Sequence, residues 1–492
     1  MPTSDSASDE PTNESLPITA SLETSAVLQD TEVPTRPGWW RVHAWPFAGM
    51  VAILLTGMAF SFFWNLVVHH INAWNTPPDL WGTFRDAHYV IWDGEGQVYN
   101  ANTSFVTFPG IAVLLSPVAE IQRIFNLTES FPVYLYRPTA WFVLGPVDML
   151  CGGILLFPLD AMARRLSISY KRRALATVLE AVLIFPAVVY WGHPEDTLAL
   201  AFGLYALLAS YERHWLHSAG FFALAVVFQP LILLIVPIAL AYVPAKKWPA
   251  FAGVVAIPTA LLLLPPLVQE WKPTTYAILR QPNFPTLNHA TPWLSLAPVL
   301  TPSHWTYTYG LHFVLLHDGK RKFVYGASRV FAGEIVEAGP GRTIALVLAC
   351  LVGVWVAKRK PPFVEVVWWA AVALSLRCIF ESVMDPYYLV PSLVLVIVVA
   401  STIGKFRFCL TVVVAAVCTR TSYWHTGEWR YYLFVTGSLL FALAFSWPGG
   451  KRRQKILMLP APQSPQPQPP EPERKDVGIL AVTTGSPRLA AR

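Results

Sequence analysis

Arg164-Arg165-Leu166-Ser167-Ile168-Ser169-Tyr170-Lys171-Arg172-Arg173 lies between two long apolar runs. Short loops rich in Lys and Arg stay on the cytoplasmic side of a membrane. The run before this stretch, about 138–162, therefore comes in, and the run after it, about 174–190, goes out. The same rule orders the rest of the chain. Arg36 and Arg41 precede a first outgoing span at about 44–69, and a fourth span at about 197–211 returns to Arg213. Residues 218–243 are apolar but broken at Gln229-Pro230 and Pro237, and both flanks read as inside. The simplest solution is a re-entrant hairpin of two half-helices; two complete spans keep the same parity. Broken backbone is tolerated at membrane depth where it is buried in protein or lines a cavity. Further spans fall at about 249–268, 342–357, 363–381, 386–403, 408–421 and 431–447. Lys246 and Lys247, Lys358 to Lys360, Lys405 and Arg407, and Lys451 to Arg453 mark the inner turns. The expected fold is an all-α polytopic membrane protein of about ten transmembrane helices plus the hairpin, with both termini cytoplasmic.

Composition agrees. The chain has 492 residues, of which 54% are hydrophobic and 13% charged, which excludes an ordinary soluble enzyme. The net charge of +6 sits in short loops, so it reports topology and not a nucleic-acid partner. The five Cys lie in or beside apolar runs, without metal or disulfide spacing. Residues 1–37 and 451–492, polar and Pro-rich, are expected to be disordered cytoplasmic tails flanking a membrane domain at 44–447. No apolar run begins near the N-terminus, so no cleavable signal peptide is expected. The chain lacks a phosphate-cradling P-loop, a dinucleotide glycine fingerprint, zinc spacing and a Gly-x-Ser-x-Gly elbow. No internal repeat is visible, which weakens a secondary-transporter reading.

Two large loops, 70–137 and 269–341, fall outside. The first begins with Asp79 to Tyr99, where Asp79, Asp86, Asp93 and Glu95 are interleaved with Trp81, Tyr89, Trp92 and Tyr99. Such aromatics favour the membrane–water interface. Phe108 to Phe125 is apolar but short, and reads as a helix lying on or dipping into the membrane. Asp86, His193, Glu195, Asp196, His289, Arg377, Glu381 and Asp385 all fall at outer loops or outer span ends. Ionisable groups at membrane depth are expensive, so a one-sided set suggests a site. Each has a plainer reading as well. Asp196 suits a helix N-cap, Arg377 and Glu381 are spaced for an i, i+4 ion pair, and His289 could bond nearby backbone.

Several stretches in this order resemble one family. They are Arg85-Asp86-Ala87-His88-Tyr89, Gly96-Gln97-Val98-Tyr99 and Phe108-Pro109; Trp191-Gly192-His193-Pro194-Glu195-Asp196; and Gln229-Pro230. Later come Asn288-His289-Ala290-Thr291-Pro292-Trp293, Ala338-Gly339-Pro340-Gly341-Arg342, and Arg377 through Glu381 to Pro386-Tyr387-Tyr388-Leu389-Val390-Pro391. The combination resembles the GT-C superfamily of membrane glycosyltransferases, nearest to glycosyltransferase family 87, the polyprenyl-phosphate-sugar-dependent mannosyltransferases and their relatives of actinobacterial envelopes.

The resemblance implies transfer of a sugar, mannose first and arabinose second, from a polyprenyl-phosphate donor to a glycolipid or polysaccharide hydroxyl. The reaction would take place on the outer face of the plasma membrane, with inversion. It implies Asp86 as general base. Donor or acceptor contacts would come from Arg137, His193, Glu195, Asp196, His289, Arg377, Glu381, Tyr387 and Tyr388. Neither metal nor other cofactor is expected. The competing reading is a transporter or flippase of a lipid-linked saccharide. No ionisable residue stands out near mid-span on the inner half, and this disfavours it.

Overall fold

The computed structural model describes residues 39–70, 72–99, 107–130, 137–285, 289–315, 321–423 and 427–449. Both terminal tails and Asn288 lie outside the described residues. The chain divides into residues 1–42 and 43–492, and the architecture below is that of the second unit.

Helix α1 (Trp39–His69) leads to α2 (Pro78–Trp92) and α3 (Gly110–Ile124), which pack on each other. Their shared core holds Leu80, Trp81, Phe84, Tyr99, Ile111 and Leu115, all essentially inaccessible to solvent. The Gly96-to-Tyr99 segment closes this layer: the Tyr99 hydroxyl donates to the Thr107 carbonyl at 2.7 Å. The apolar stretch after Phe108 is thus a helix held against α2.

Next come α4 (Trp141–Ile154) and α5 (Leu156–Arg165), then α6 (Tyr170–Phe185), which widens into a π-type turn at Pro186–Trp191. Helix α7 (Pro194–Tyr211) is followed by α8 (Trp215–Phe228). After a break at Gln229 the chain runs through a 3-10 segment, Pro230–Ile235, into α9 (Val236–Leu240). Two contacts fix the path. Gln229 Nε2 donates to Asp196 Oδ1 at the start of α7, at 2.9 Å. The Ser210 hydroxyl, near the end of α7, donates to the Ala239 carbonyl. Residues 215–240 therefore go up one side of α7 and back down, over about 21 Å at 1.5 Å per residue. The segment is a broken helical hairpin whose tip reaches the residues at the start of α7.

Helix α10 (Trp248–Gln269) and the short α11 (Trp271–Thr275) enter the second large loop. There β1 (His289–Ala290) precedes an antiparallel ribbon of β2 (Val299–Leu315) and β3 (Arg321–Val336). The sequence reading had only a loop here, although the Val, Thr, Tyr, Trp and Phe of this stretch suit strands. Helices α12 (Gly341–Arg359) and α13 (Phe363–Phe380) follow. The two-residue strand β4 (Val383–Met384) then pairs antiparallel with β1. This pairing fastens the loop at His289 to the loop after α13.

Helix α14 (Val390–Ala400) is apolar on every face and buried along almost its whole length, as such a helix must be. Helices α13, α15 (Lys405–Thr421) and α16 (Glu428–Ser446) pack around it. The outer helices instead expose large apolar side chains: Leu261, Leu264 and Val268 on α10, Leu351 and Val354 on α12, Phe434 and Phe441 on α16. Continuous apolar surface of this kind marks a lipid-facing protein. Among the described residues, six segments are long and apolar enough to cross a membrane: Val42–His69, Trp141–Arg165, Tyr170–Trp191, Ala245–Gln269, Gly341–Arg359 and Phe363–Phe380. The remaining expected spans fall on α7, α14, α15 and α16, which are shorter or less apolar.

The basic loops gather at one end of the helices. Arg173 grips Asp160 through two bonds of 2.7 Å, and Arg165 lies 3.3 Å from Glu212. Arg172 donates to the Ser401 and Ile403 carbonyls, and Arg407 to those of Phe445 and Trp447. Cations so placed satisfy helix C-terminal carbonyls and oppose the helix dipole. Glu180 corrects the sequence reading of this half: it is buried to 1% exposure within α6, inside a candidate span.

Candidate functional site

The turn at residues 186–193 builds the other end. After the π-type turn, Gly192 takes φ +73°, a left-handed conformation costly for any side chain. A Cβ there would lie 2.7 Å from Leu80 Cβ and 2.8 Å from Pro77 Cβ. Glycine thus lets the turn touch the first residues of α2, and it brings His193 to Asp79.

His193 is held on three sides. Its Nδ1 is 2.7 Å from Glu195 Oε1 and its Nε2 is 3.3 Å from Asp79 Oδ2. The ring stacks on Tyr387, with centroids 4.0 Å apart. Burial opposes protonation of the imidazole, but the Glu195 and Asp79 carboxylates outweigh it and raise its pKa well above the ordinary 6.5. The two carboxylates thus favour the protonated imidazole.

Arg377, at the end of α13, makes a second knot. Its Nε is 3.3 Å from Glu381 Oε1 and its Nη1 4.0 Å from Asp196 Oδ2. The guanidinium lies 3.2 Å from the Tyr388 ring centroid, a cation–π contact. Arg342 Nε donates to the same Glu381 oxygen at 3.1 Å. Two guanidiniums thus share one carboxylate. Asp385, just beyond, is buried, and burial pushes its carboxyl up to about 7.

Of these groups, His193, Glu195, Asp196, Arg342, Arg377, Tyr387 and Tyr388 line a cavity of about 320 Å³. One wall is polar: His193, Glu195, Asp196, Gln229, Gln281, Asn283, Arg342, Arg377, Tyr387 and Tyr388. The other is apolar and comes from the hairpin tip and α12: Pro230, Leu231, Leu233, Leu234 and Leu346. Leu233 and Leu346 are also exposed at 38% and 44%, so this wall continues into the lipid-facing surface.

Of the residues expected at a site, His193, Glu195, Asp196, Arg377, Tyr387 and Tyr388 line this cavity. Glu381 stands behind Arg342 and Arg377. Asp196 is not a cap; it sits in the first turn of α7 and accepts from Gln229. Arg377 and Glu381 do form the i, i+4 pair, but within the larger knot. His289 lies in β1 and stacks on Tyr431 at 3.9 Å, outside the cavity wall. Arg137 is exposed and also outside it. Asp86 is fully buried on α2, and it does not line the cavity. The α2 carboxylate that meets the cluster is Asp79, seven residues earlier and half exposed.

Sequence reasoning missed Arg342, Asn283 and Gln281 as wall residues, and missed Asp148. Asp148 stands in the apolar α4 with zero exposure. A lone acid inside an apolar span was the signal that could have found it. Among the described residues no group of three or more His, Cys, Asp or Glu is arranged to hold a metal ion. No protein-family model matches the chain, and no curated protein or solved structure matches it.

Proposed function

We propose that the chain is an integral membrane glycosyltransferase of the GT-C kind, nearest in pattern to family 87. It moves a sugar, mannose first and arabinose second, from a polyprenyl phosphate to a hydroxyl of an envelope glycolipid or polysaccharide on the outer face. One observation carries this reading: the cavity joins a paired guanidinium site to an apolar wall that continues into the lipid-facing surface. Such a site suits a ligand with an anionic phosphate, a polar sugar and a long apolar tail.

In this reading the phosphate lies against Arg342 and Arg377, the sugar against Tyr387, Tyr388 and the acids, and the prenyl chain along Leu233 and Leu346. The acceptor hydroxyl attacks the anomeric carbon as the carbon–oxygen bond to phosphate breaks. The hydroxyl proton passes to a carboxylate, and the polyprenyl phosphate leaves with the bonding pair, its charge met by the two arginines. Attack opposite the phosphate inverts the anomeric centre. Asp79 takes the base role here, because it reaches the His193 cluster and Asp86 is buried two helical turns further on. General-base help of this kind contributes ~10²–10⁴-fold.

The buried acids Asp160 and Glu180 on the basic half favour a second reading, a transporter or flippase of a lipid-linked saccharide. The test is reconstitution in lipid with radiolabelled polyprenyl-phosphate sugars and a membrane-lipid extract, with and without chelator. Transfer of one sugar by wild type, lost in Arg377→Gln, is the expected result. Movement of the donor across the bilayer without transfer would replace the enzyme by the flippase.

A further inference from the structure

A groove of about 510 Å³ runs between α1 and α6, and it shares no lining residue with the cavity at His193. Both helices belong to segments long and apolar enough to cross a membrane. Its lining recurs at helical spacing from Trp45 to Thr56 on α1 and from Ala174 to Phe185 on α6. The two helices run in the same direction. Trp45 meets Tyr170 at one end, with ring centroids 5.1 Å apart, and Phe60 meets Phe185 at the other, at 5.8 Å. Between these ends Gly49 lets the helices touch: a Cβ there would lie 2.9 Å from Thr177 Cγ2 and 2.6 Å from Leu156 Cδ1. Alanines at 48, 52, 174 and 181 leave the space open. Val178 and Val182 line it and are 60% and 63% exposed, so the groove opens onto the lipid-facing surface.

Its length and its charge identify an occupant. From Trp45 to Thr56 the groove spans about 16 Å at 1.5 Å per residue. One leaflet supplies about half of a ~30 Å hydrocarbon core. The groove therefore has the length of a single acyl chain. Its Trp45–Tyr170 end is the basic end. The first turn of α6 holds Lys171, Arg172 and Arg173 with no acid, and no side chain caps it. A helix N-terminus favours anions, so a first turn of cations is unfavourable until an anion joins it. Asp160 holds Arg173, and Arg172 donates to the Ser401 and Ile403 carbonyls. Lys171 is exposed and, among the described residues, has no ion-pair partner. It precedes Ala174, Val178 and Val182 by three, seven and eleven residues, which sets it on the face of α6 that lines the groove.

We propose that this groove binds one anionic phospholipid from the leaflet at the basic end, with an acyl chain between α1 and α6 and the phosphate on Lys171 at the start of α6. The chain fills the space that the alanines leave. The phosphate supplies the anion that the first turn of α6 lacks. Trp45 and Tyr170 then stand at the membrane–water interface, where such rings are favoured. A second copy of the chain is a poorer occupant, because a two-fold contact here would bring Lys171 against Lys171. The site is separate from the proposed transferase cavity and does not depend on sugar transfer.

The test is native mass spectrometry of the full chain, released from micelles that hold equal amounts of phosphatidylglycerol and phosphatidylcholine. Wild type should retain one lipid, with phosphatidylglycerol in excess by roughly fivefold or more. Lys171→Gln should still retain a lipid but lose most of that excess. Ala52→Trp fills the groove from an exposed position and should retain neither lipid. Leu55→Trp, on the same helix but outside the lining, should behave as wild type. Thermal melts check the fold of each variant, and phosphatidylglycerol should raise the melting temperature of wild type and not of Ala52→Trp. Equal retention of the two lipids by wild type, an undiminished excess in Lys171→Gln, or the same lipid loss in Leu55→Trp as in Ala52→Trp would each overturn the proposal. So would a dimer that Ala52→Trp separates, which would give the groove to a second copy. Displacement of the retained lipid by an equal amount of short-chain prenyl phosphate would give it to the proposed donor instead. The wild-type preference and Lys171→Gln decide the matter even if Ala52→Trp does not fold.

Discussion

His193 Nε2 lies 3.3 Å from Asp79 Oδ2, joining residues 114 apart in the chain. The relationship selects among the acids of the first loop. Asp79→Asn should lower sugar transfer by ~10²–10⁴-fold with the protein still folded by size-exclusion chromatography. Asp86→Asn should act through folding instead, because its side chain is buried in the α2 layer. Initial rates beside thermal melts separate the two. Full loss of turnover in a well-folded Asp86→Asn, with Asp79→Asn active, would return the base role to Asp86.

Arg377 should not tolerate lysine. Its guanidinium stacks on Tyr388 while facing both Glu381 and Asp196. An ammonium cannot keep that planar fork and stack. Arg377→Lys and Arg377→Gln should both weaken donor binding, by about 1.5–3 kcal/mol if one charge-assisted contact is lost. Calorimetric titration with a short-chain prenyl phosphate measures this. Lysine binding as well as arginine would show that only net charge matters there.

Stability should fall as pH rises through neutrality. Burial pushes the Asp385 carboxyl up from 3.8 to about 7. Between those values the folded protein holds a proton that the unfolded chain releases, so stability is highest below the window and lost across it. His193 has the same sign: its raised pKa supplies stability below about 6.5 that is lost as pH climbs through the folded value. Asp385→Asn should flatten the decline in melting temperature between pH 5 and about 8, a change on the order of a few kcal/mol. A variant curve parallel to wild type would remove Asp385 from this account.

Gly192→Ala should cost about 2 kcal/mol or more, from left-handed strain together with contact against Leu80 and Pro77. It should also pull His193 from Asp79, so the His193 titration moves toward the ordinary range. Thermal melts and histidine NMR on the same sample report both effects. An alanine variant with unchanged melt and titration would show that the turn is not what positions His193.

The sequence alone determined the helical membrane character of the chain. Apolar runs of span length and Lys/Arg-rich loops act locally, through the transfer energy of side chains and the helix period. Those signals also set Trp191 to Asp196 and Arg377 to Tyr388 at the same end. Which of those residues meet was settled only by tertiary packing. Asp79 and Asp86 are two turns apart and share a face of α2. Tertiary packing buries Asp86 and leaves Asp79 at His193. Gln229 reaches Asp196 because the hairpin runs the length of α7, a path that its apolar composition does not encode. The β1–β4 pairing depends on a register between strands far apart in the chain. Contacts between elements far apart in the chain are fixed by how volumes fit, and periodicity carries no record of that fit.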